Sequence, residues 1–481
     1  MRTRWWWSAL AASALACSEA EEGDLGPRDV GVGLDAGSDS GVRPDAGQDG
    51  GLPGDTGPAP DSGPVPDGGP SDETPLTERT PRNDYACAVT RDRTDHTPRY
   101  WSYGGHDLQV SSGGTAYSVR VESMPPNPFE QAPANFIATS LAADGTFGSN
   151  IILATNSPDE ILWPSAAPRG DGVAVVYVDG TRLRFVAFDG AGQEVIAAKD
   201  LPGITVDFQT RPKLVAFGGG FGLVYQRPGA GNVEVLFLAL DGDGNPSGSS
   251  RPVTTTPEGY DPALVLVGVA DGFGLLFRDQ VNQRFQVFFT KLSPTGEVVV
   301  PRRRISLHEE EQVEAAVGSG FDSPGITLLA HGTGYLAAWN ESRRGEGLGG
   351  DASSVVKVVR LDGSGVPLGV AVPARSHQVD VDEVEPALVP FGNAVALMWG
   401  RGTHIYICAG CTPDHRIDML LLDPEDLTPV SNLVTIEAPP GIRGGGLLRR
   451  EAAVLGNSLL VVYGLTFHVH STPGSAAFGC D

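Results

Sequence analysis

Residues 212–225 read PKLVAFGGGFGLVY, and residues 262–277 read PALVLVGVADGFGLLF. The pattern returns as GITLLAHGTGYLAAW at 325–339 and as PALVPFGNAVALMW at 386–399. Each copy is a short apolar run, a Gly-rich turn and a second apolar run ending in an aromatic residue. Apolar runs this short, bounded by Gly, read as buried strands joined by a tight turn. A further apolar run follows, closed by an Asp-x-x-Gly turn, as in LALDGDG at 238–244. The pair of motifs recurs roughly every 45–70 residues from Asp107 to the C-terminus, and a unit of that period built only from strands predicts an all-β propeller.

Seven units begin near Leu108, Ala166, Lys213, Ala263, Gly325, Ala387 and Glu451, so the expectation is seven blades, with six or eight as alternatives. The aromatic closing the second strand is Tyr177, Tyr225, Phe277, Trp339, Trp399 or Tyr463, with Val119 or Arg120 in the first unit. Such a series suits packing between blades. The last unit is incomplete, and residues 83–104 are available to complete it, making a composite closing blade.

Asp-x-x-Gly turns occur at Asp189–Gly192, Asp241–Gly244 and Asp362–Gly365, with relatives at Ala142–Gly145 and Ser293–Gly296. The Asp side chain caps a tight turn, and Gly takes the positive φ that other residues resist. Gly192, Gly244, Gly296 and Gly365 are therefore expected at positive φ. The segment Asp423-Pro-Glu-Asp426 departs from the pattern by lacking the Gly. Asp241, Asp243 and Asn245 are spaced like the start of a calcium loop, but Pro246 stands where that loop needs Gly and no Glu follows at its twelfth position.

In chain order each blade runs A, turn, B, loop, C, Asp-x-x-Gly turn, D, loop. An antiparallel meander then puts the short A–B and C–D turns on one face. The B–C and D–A loops, expected to be long and variable, fall on the other. Binding residues usually sit on such loops, carried by a rigid scaffold.

The chain has 481 residues and a formal net charge of −25. Phosphate binding needs a basic surface, so nucleic acid is not an expected partner. Residues 18–80 hold 15 acids against 3 bases, about half of that charge. They repeat Asp-Ala-Gly, Asp-Ser-Gly and Pro-Asp-Gly and carry few large apolar side chains. A segment of that composition cannot bury enough surface to offset its ordering entropy. Residues 17–82 are accordingly read as a disordered tether and 83–481 as the propeller. Ahead of them Arg2 and Arg4 precede an apolar run from Trp5 to Ala16, the form of a signal peptide over 1–16. That run ends Ala-Leu-Ala-Cys at 14–17, similar to a bacterial lipobox, which makes Cys17 the expected lipidation site and the lipid anchor the only membrane contact. Lipobox, Asp/Gly/Pro linker and strand repeats together resemble the secreted propeller lipoproteins of myxobacteria and their relatives. The resemblance implies a place at the cell envelope, at the outer membrane or cell surface.

Four cysteines remain after Cys17, an even number for an exported protein. Ring closure would bring Cys87 and Cys480 together, leaving Cys408 and Cys411 as a second pair. A competing reading of the same loop is a zinc site from His404, Cys408, Cys411 and His415; the exported context favours the disulfide.

Two D–A loops are acidic. One carries Glu309, Glu310 and Glu311, the other Asp380, Asp382, Glu383 and Glu385. By the face argument Arg343, Arg344, Arg401 and Arg416 lie nearby, and this mixed charge suits a polar partner. A solvated acidic rim is the plain alternative. No catalytic elbow, phosphate loop, metalloprotease helix or cofactor motif is present. Three functions follow as expectations. They are binding of an envelope protein or glycan through the variable face, polysaccharide hydrolysis or lysis by a carboxylate pair, and a structural envelope role.

Overall fold

Alternating apolar residues flanked by Gly-containing turns fold locally into hairpins, and four strands in sequence make each blade. In the computed structural model, the described residues are 74–94, 106–111, 113–123, 134–156, 161–206, 210–229, 231–257, 263–281, 284–306, 325–343, 353–376, 378, 381–403, 416–437, 447–467 and 470–480. Blade 3 shows the plan. Strand A (Lys213–Phe217) pairs with B (Gly220–Pro228), B with C (Asn232–Leu240), and C with D (Arg251–Pro257), all antiparallel.

The innermost A strands are His106–Val110, Ile161–Arg169, Lys213–Phe217, Leu264–Val269, Ile326–His331, Val381–Phe391 and Leu447–Leu455. Each touches the next, and the last meets the first, so the ring closes as a seven-bladed propeller. The expected blade starts all fall on or immediately before these strands. Blade 7 is composite: Cys87–Thr94 supplies its strand D and pairs with His470–Cys480, its strand C. Cys87 faces Cys480 in that register, and the two form the disulfide with Cα atoms 4.1 Å apart.

Seven buried clusters fill the seven interfaces between blades. Tyr177, Tyr225, Phe277, Trp339 and Trp399 are each at most 1% exposed and pack against the preceding blade. The expected role of the aromatic series holds for these five.

The C–D turns form as expected. Gly192, Gly244, Gly296 and Gly365 have φ of 77°, 73°, 84° and 75°. In the Asp241 turn, Oδ1 accepts from the backbone N–H of Asp243 and of Asn245. Asp362 does the same for Ser364 and Val366. In the Asp423 turn, without its Gly, the strained position falls to Leu427 at φ 61°. A second property of these turns escapes local sequence reasoning. A Cβ at Gly365 would lie 2.0 Å from Cδ1 of Phe289 on strand C (Arg284–Leu292) of blade 4. Gly244 meets Phe185 and Gly296 meets Phe237 in the same way, each one blade back. The turn thus seats its backbone on the neighbouring blade's phenylalanine.

Residues 74–82, assigned to the tether by composition, pack on the ring. Leu76 is fully buried in the cluster between blades 5 and 6. The Thr77 N–H donates to the Ala374 carbonyl, and the Arg82 and Tyr85 N–H groups donate to Pro429 and Val430. The strap runs along blade 6 before entering blade 7.

The expected loop lengths need correction. B–C connections are long in sequence only in blades 1, 5 and 6, at 124–133, 344–352 and 404–415. In blades 2, 3, 4 and 7 they shrink to two or three residues, because strand B continues past its aromatic through polar residues that still pair with strand C. The same extension shortens the connection between Pro373 and Val381, and it places 340–343 and 353–354 in strands (Gly334–Arg343 and Ser353–Leu361). Asn340, Glu341 and Ser354 are buried, so the ends of 340–354 belong to the blade.

Candidate functional site

Polar strand ends create a second repeat. Two residues beyond the strand B aromatic stand Asp179, Arg227, Asp279, Glu341 and Arg401. Each meets an opposite charge from strand C or D of its own blade. Asp179 pairs with Arg184 at 3.0 Å, Arg227 with Glu234 at 2.7 Å, and Asp279 with Arg302 at 2.5 Å. Glu341 pairs with Lys357, and Arg401 with Asp418 at 2.9 Å. The first two pairs are partly exposed, whereas Asp279, Glu341 and Asp418 are buried. Isolated buried charge is costly, so these three depend on their partners. Burial still pushes the Asp279 carboxyl up, against the Gln280 N–H and Arg302.

The seam between blades 5 and 6 departs from the plan. Strand D of blade 5 is only Val372–Pro373. Over the start of strand C its place is taken by strand A of blade 6, which pairs there in parallel, Ser354 against Asp382. Blades 5 and 6 therefore share one sheet. A bulge follows between Val384 and Ala387, with Glu385 at φ 53°. Strand A of blade 2 has the same kind of bulge, with Trp163 at φ 53°.

Glu383 lies at this seam and is 4% exposed. One oxygen accepts the Val356 N–H at 2.9 Å, where in blade 4 the Ser306 hydroxyl accepts the equivalent Val287 N–H. The other accepts the Trp399 indole N–H at 3.1 Å. Burial raises the carboxyl to about 8, and Asp418 adds to the rise. The Val356 N–H, Arg375 and the Trp399 N–H oppose it. The group is therefore protonated at neutral pH.

A shallow cleft opens over it on the face carrying the B–C and D–A connections. Its polar lining is Ser354, Arg375, Ser376, Gln378, Glu383 and Arg401, with Val355 and Val381 as the apolar members. Asp418, fully buried, holds both arginines: Oδ2 accepts from Arg375 Nη1 at 3.1 Å and Arg401 Nε at 2.9 Å. Its Oδ1 accepts the Thr435 hydroxyl at 2.6 Å.

The structure thus brings together two of the expected residues, Glu383 and Arg401, which are cross-strand partners. Arg416 stands opposite Arg401 and makes a rim pair with Glu437 at 3.7 Å. Arg343 and Asp382 fall on strands at the same end. Cys17, Glu309, Glu310, Glu311, Arg344, Asp380, Cys408 and Cys411 lie outside the described residues, as do His404 and His415. Among the described residues no three His, Cys, Asp or Glu side chains group closely enough to hold a metal ion. Sequence reasoning missed Asp418 and Arg375. Asp418 does leave a signal, as a lone carboxylate in the apolar strand Arg416–Leu422.

No family model matches the chain, and neither does any curated sequence. Several solved structures are similar to it at low identity. The polysaccharide lyase Uly1 is 8% identical, covering 81% of this chain and 94% of its own at a TM-score of 0.47. The α-L-arabinofuranosidase Arb93A from Fusarium graminearum, in complex with an iminosugar inhibitor, is 8% identical, covering 66% and 92% at a TM-score of 0.39. Drosophila Plexin A in complex with Semaphorin 1b is 11% identical, covering 80% and 88% at a TM-score of 0.37. Likeness at this level transfers no residue role or activity, and one fold hosts many functions.

Proposed function

We propose that this is a lipid-anchored cell-envelope protein whose propeller binds a glycan or a protein through the face bearing the B–C and D–A connections. The observation that carries the reading is the seam cleft, where two arginines are fixed by a buried carboxylate at the strand ends of blades 5 and 6. Side chains held in advance lose little freedom on binding. A glycosidase needs two carboxyl groups flanking the bond, one to protonate and one to attack or activate water. At the seam, Asp418 is fully engaged by two arginines and a threonine. Glu383 accepts two N–H groups that need it.

The test is capture on an array of glycans and envelope proteins by the full chain. Retained ligands are then measured against a variant whose 344–352 connection is replaced by a short Gly-Ser turn, with Arg343 and Ser353 kept. The reading requires weaker capture with an unchanged melting temperature; unchanged affinity overturns it.

The raised carboxyl of Glu383 favours a second reading, a polysaccharide hydrolase or lyase that uses it as the acid. Release of reducing or unsaturated ends from a polysaccharide panel, lost in Glu383→Gln, would establish that activity.

A further inference from the structure

The seam cleft also has a charge that decides among ligands. In a chain of formal net charge −25, it presents two guanidinium groups held on the buried carboxylate of Asp418, with the exposed carboxylate of Glu78 at its edge on the Ser376 hydroxyl. Glu383 beside them has its carboxyl raised by burial, which disfavours a further negative charge there. Arg375 and Arg401 each spend one N–H on Asp418 Oδ2. Their other guanidinium nitrogens make no hydrogen bond to another group among the described residues, and both side chains line the cleft and keep about a fifth of their surface exposed. Asp418 already shows the local chemistry, since one carboxylate oxygen takes an N–H from each arginine. A second carboxylate on the open side would meet donors of the same planar geometry, which Arg forks match better than point charges do.

We infer that the Arg375–Arg401 cleft binds a carboxylate group of an acidic polysaccharide. The inference rests on the variable-face reading above and names the ligand class within it. A glycan is favoured over an acidic peptide by the lining. A protein interface centres on aromatic and apolar anchors in buried pockets. Among the described residues the apolar lining is Val355 and Val381, and the exposed large apolar residues Val195, Val298, Val299, Leu368 and Val370 are not part of it. Polar groups of Ser354, Ser376 and Gln378 instead line the site beside the arginines, the Ser354 hydroxyl donating to the Glu383 carbonyl and the Ser376 hydroxyl to Glu78.

The experiment is calorimetric titration of the full chain at pH 6.5 with polygalacturonate, dextran sulfate, neutral dextran and polyglutamate. Saturable binding of polygalacturonate that weakens as salt is raised is expected, with no binding of dextran. Arg375→Gln and Arg401→Gln should each weaken it at least tenfold, and the double variant should abolish it. Arg227→Gln, which breaks a similar ion pair in blade 3, should leave it unchanged. Melting temperatures are followed in parallel, and a chemically milder pair, Arg375→Lys and Arg401→Lys, keeps charge while losing the planar fork. Lysine variants that bind as wild type would overturn fork recognition. Polygalacturonate binding undiminished in a folded double Gln variant would overturn the site. Polyglutamate or dextran sulfate bound more tightly than polygalacturonate would replace the ligand class. Neutral glycans or envelope proteins captured through the 344–352 connection, with the arginine variants unaffected, would retain the variable-face reading while removing this one.

Discussion

Replacing Gly365 by Ala tests how the blades are joined. Gly365 sits at φ 75° in the C–D turn of blade 5, a conformation that costs an L-residue about 1–2 kcal/mol. Its added Cβ would stand 2.0 Å from Phe289 Cδ1 and 2.6 Å from Cε1, where an ordinary carbon contact is about 3.5–4 Å. Phe289 is fully buried and cannot swing into solvent. The overlap must be relieved by shifting the turn or the ring, at about 1–3 kcal/mol for overpacking of this kind. The total is about 2–5 kcal/mol. Gly332, in the A–B turn of the same blade, supplies the internal control. It has φ 55° and no atom within 4 Å of its built Cβ, so Gly332→Ala should cost only the backbone part. Chemical denaturation of both variants, with Phe289→Leu added in a double-mutant cycle, separates the contributions. Phe289→Leu should recover part of the Gly365→Ala loss and none of the Gly332→Ala loss. Equal destabilisation by the two glycine variants, with no coupling to Phe289, would refute the docking role of the turn.

The Cys87–Cys480 bridge closes a loop of 393 residues, which in the chain-entropy model is worth at most about 6 kcal/mol. Reduction, or Cys87→Ser, should lower the melting temperature, and an unchanged value would show that strand pairing alone closes blade 7. Leu76→Ala should cost about 2–4 kcal/mol, since it empties a fully buried position between blades 5 and 6; a surface-like cost below about 0.5 kcal/mol would remove the strap from the folded unit. Glu383 holds its proton more tightly folded, at about 8 against an ordinary 4.5. Both states are protonated below 4.5, and only the unfolded one ionises freely above it. Stability should therefore fall as pH rises from about 4.5 to about 8 and level off beyond, by at most about 5 kcal/mol. Glu383→Gln should flatten that part of the pH profile, and an equal slope in both proteins would exclude Glu383 as its source. Mass spectrometry of the mature N-terminus should find acylated Cys17, and an unmodified start elsewhere would remove the anchor.

Period-two apolar runs, Gly-rich turns and Asp-x-x-Gly caps are local features, so the sequence by itself determined the all-β class, the order of the strands and an expectation of seven blades that ring closure then decided. Positive φ at Gly365 was legible for the same reason, because an Asp cap and a tight turn involve only neighbouring residues. The Cys87–Cys480 pairing followed from topology, since a ring must join its ends. The tertiary structure alone decided where polar strand ends stop being loops and become paired and buried. Arg227 and Glu234 look like loop residues until they face each other across a hairpin. The seam required even more distant information. Strand D of blade 5 is two residues long, and what covers the exposed edge is a strand of the next blade. Glu383 is buried at that junction, and Asp418 on strand C of the next blade joins Arg375 to Arg401. The cost of burying a charge depends on groups far away in the chain, whereas a local pattern records only that a charge is present. For this reason the acidic run at 380–385 reads as a solvated rim in the sequence, while in the ring Glu383 becomes the protonated floor of a cleft.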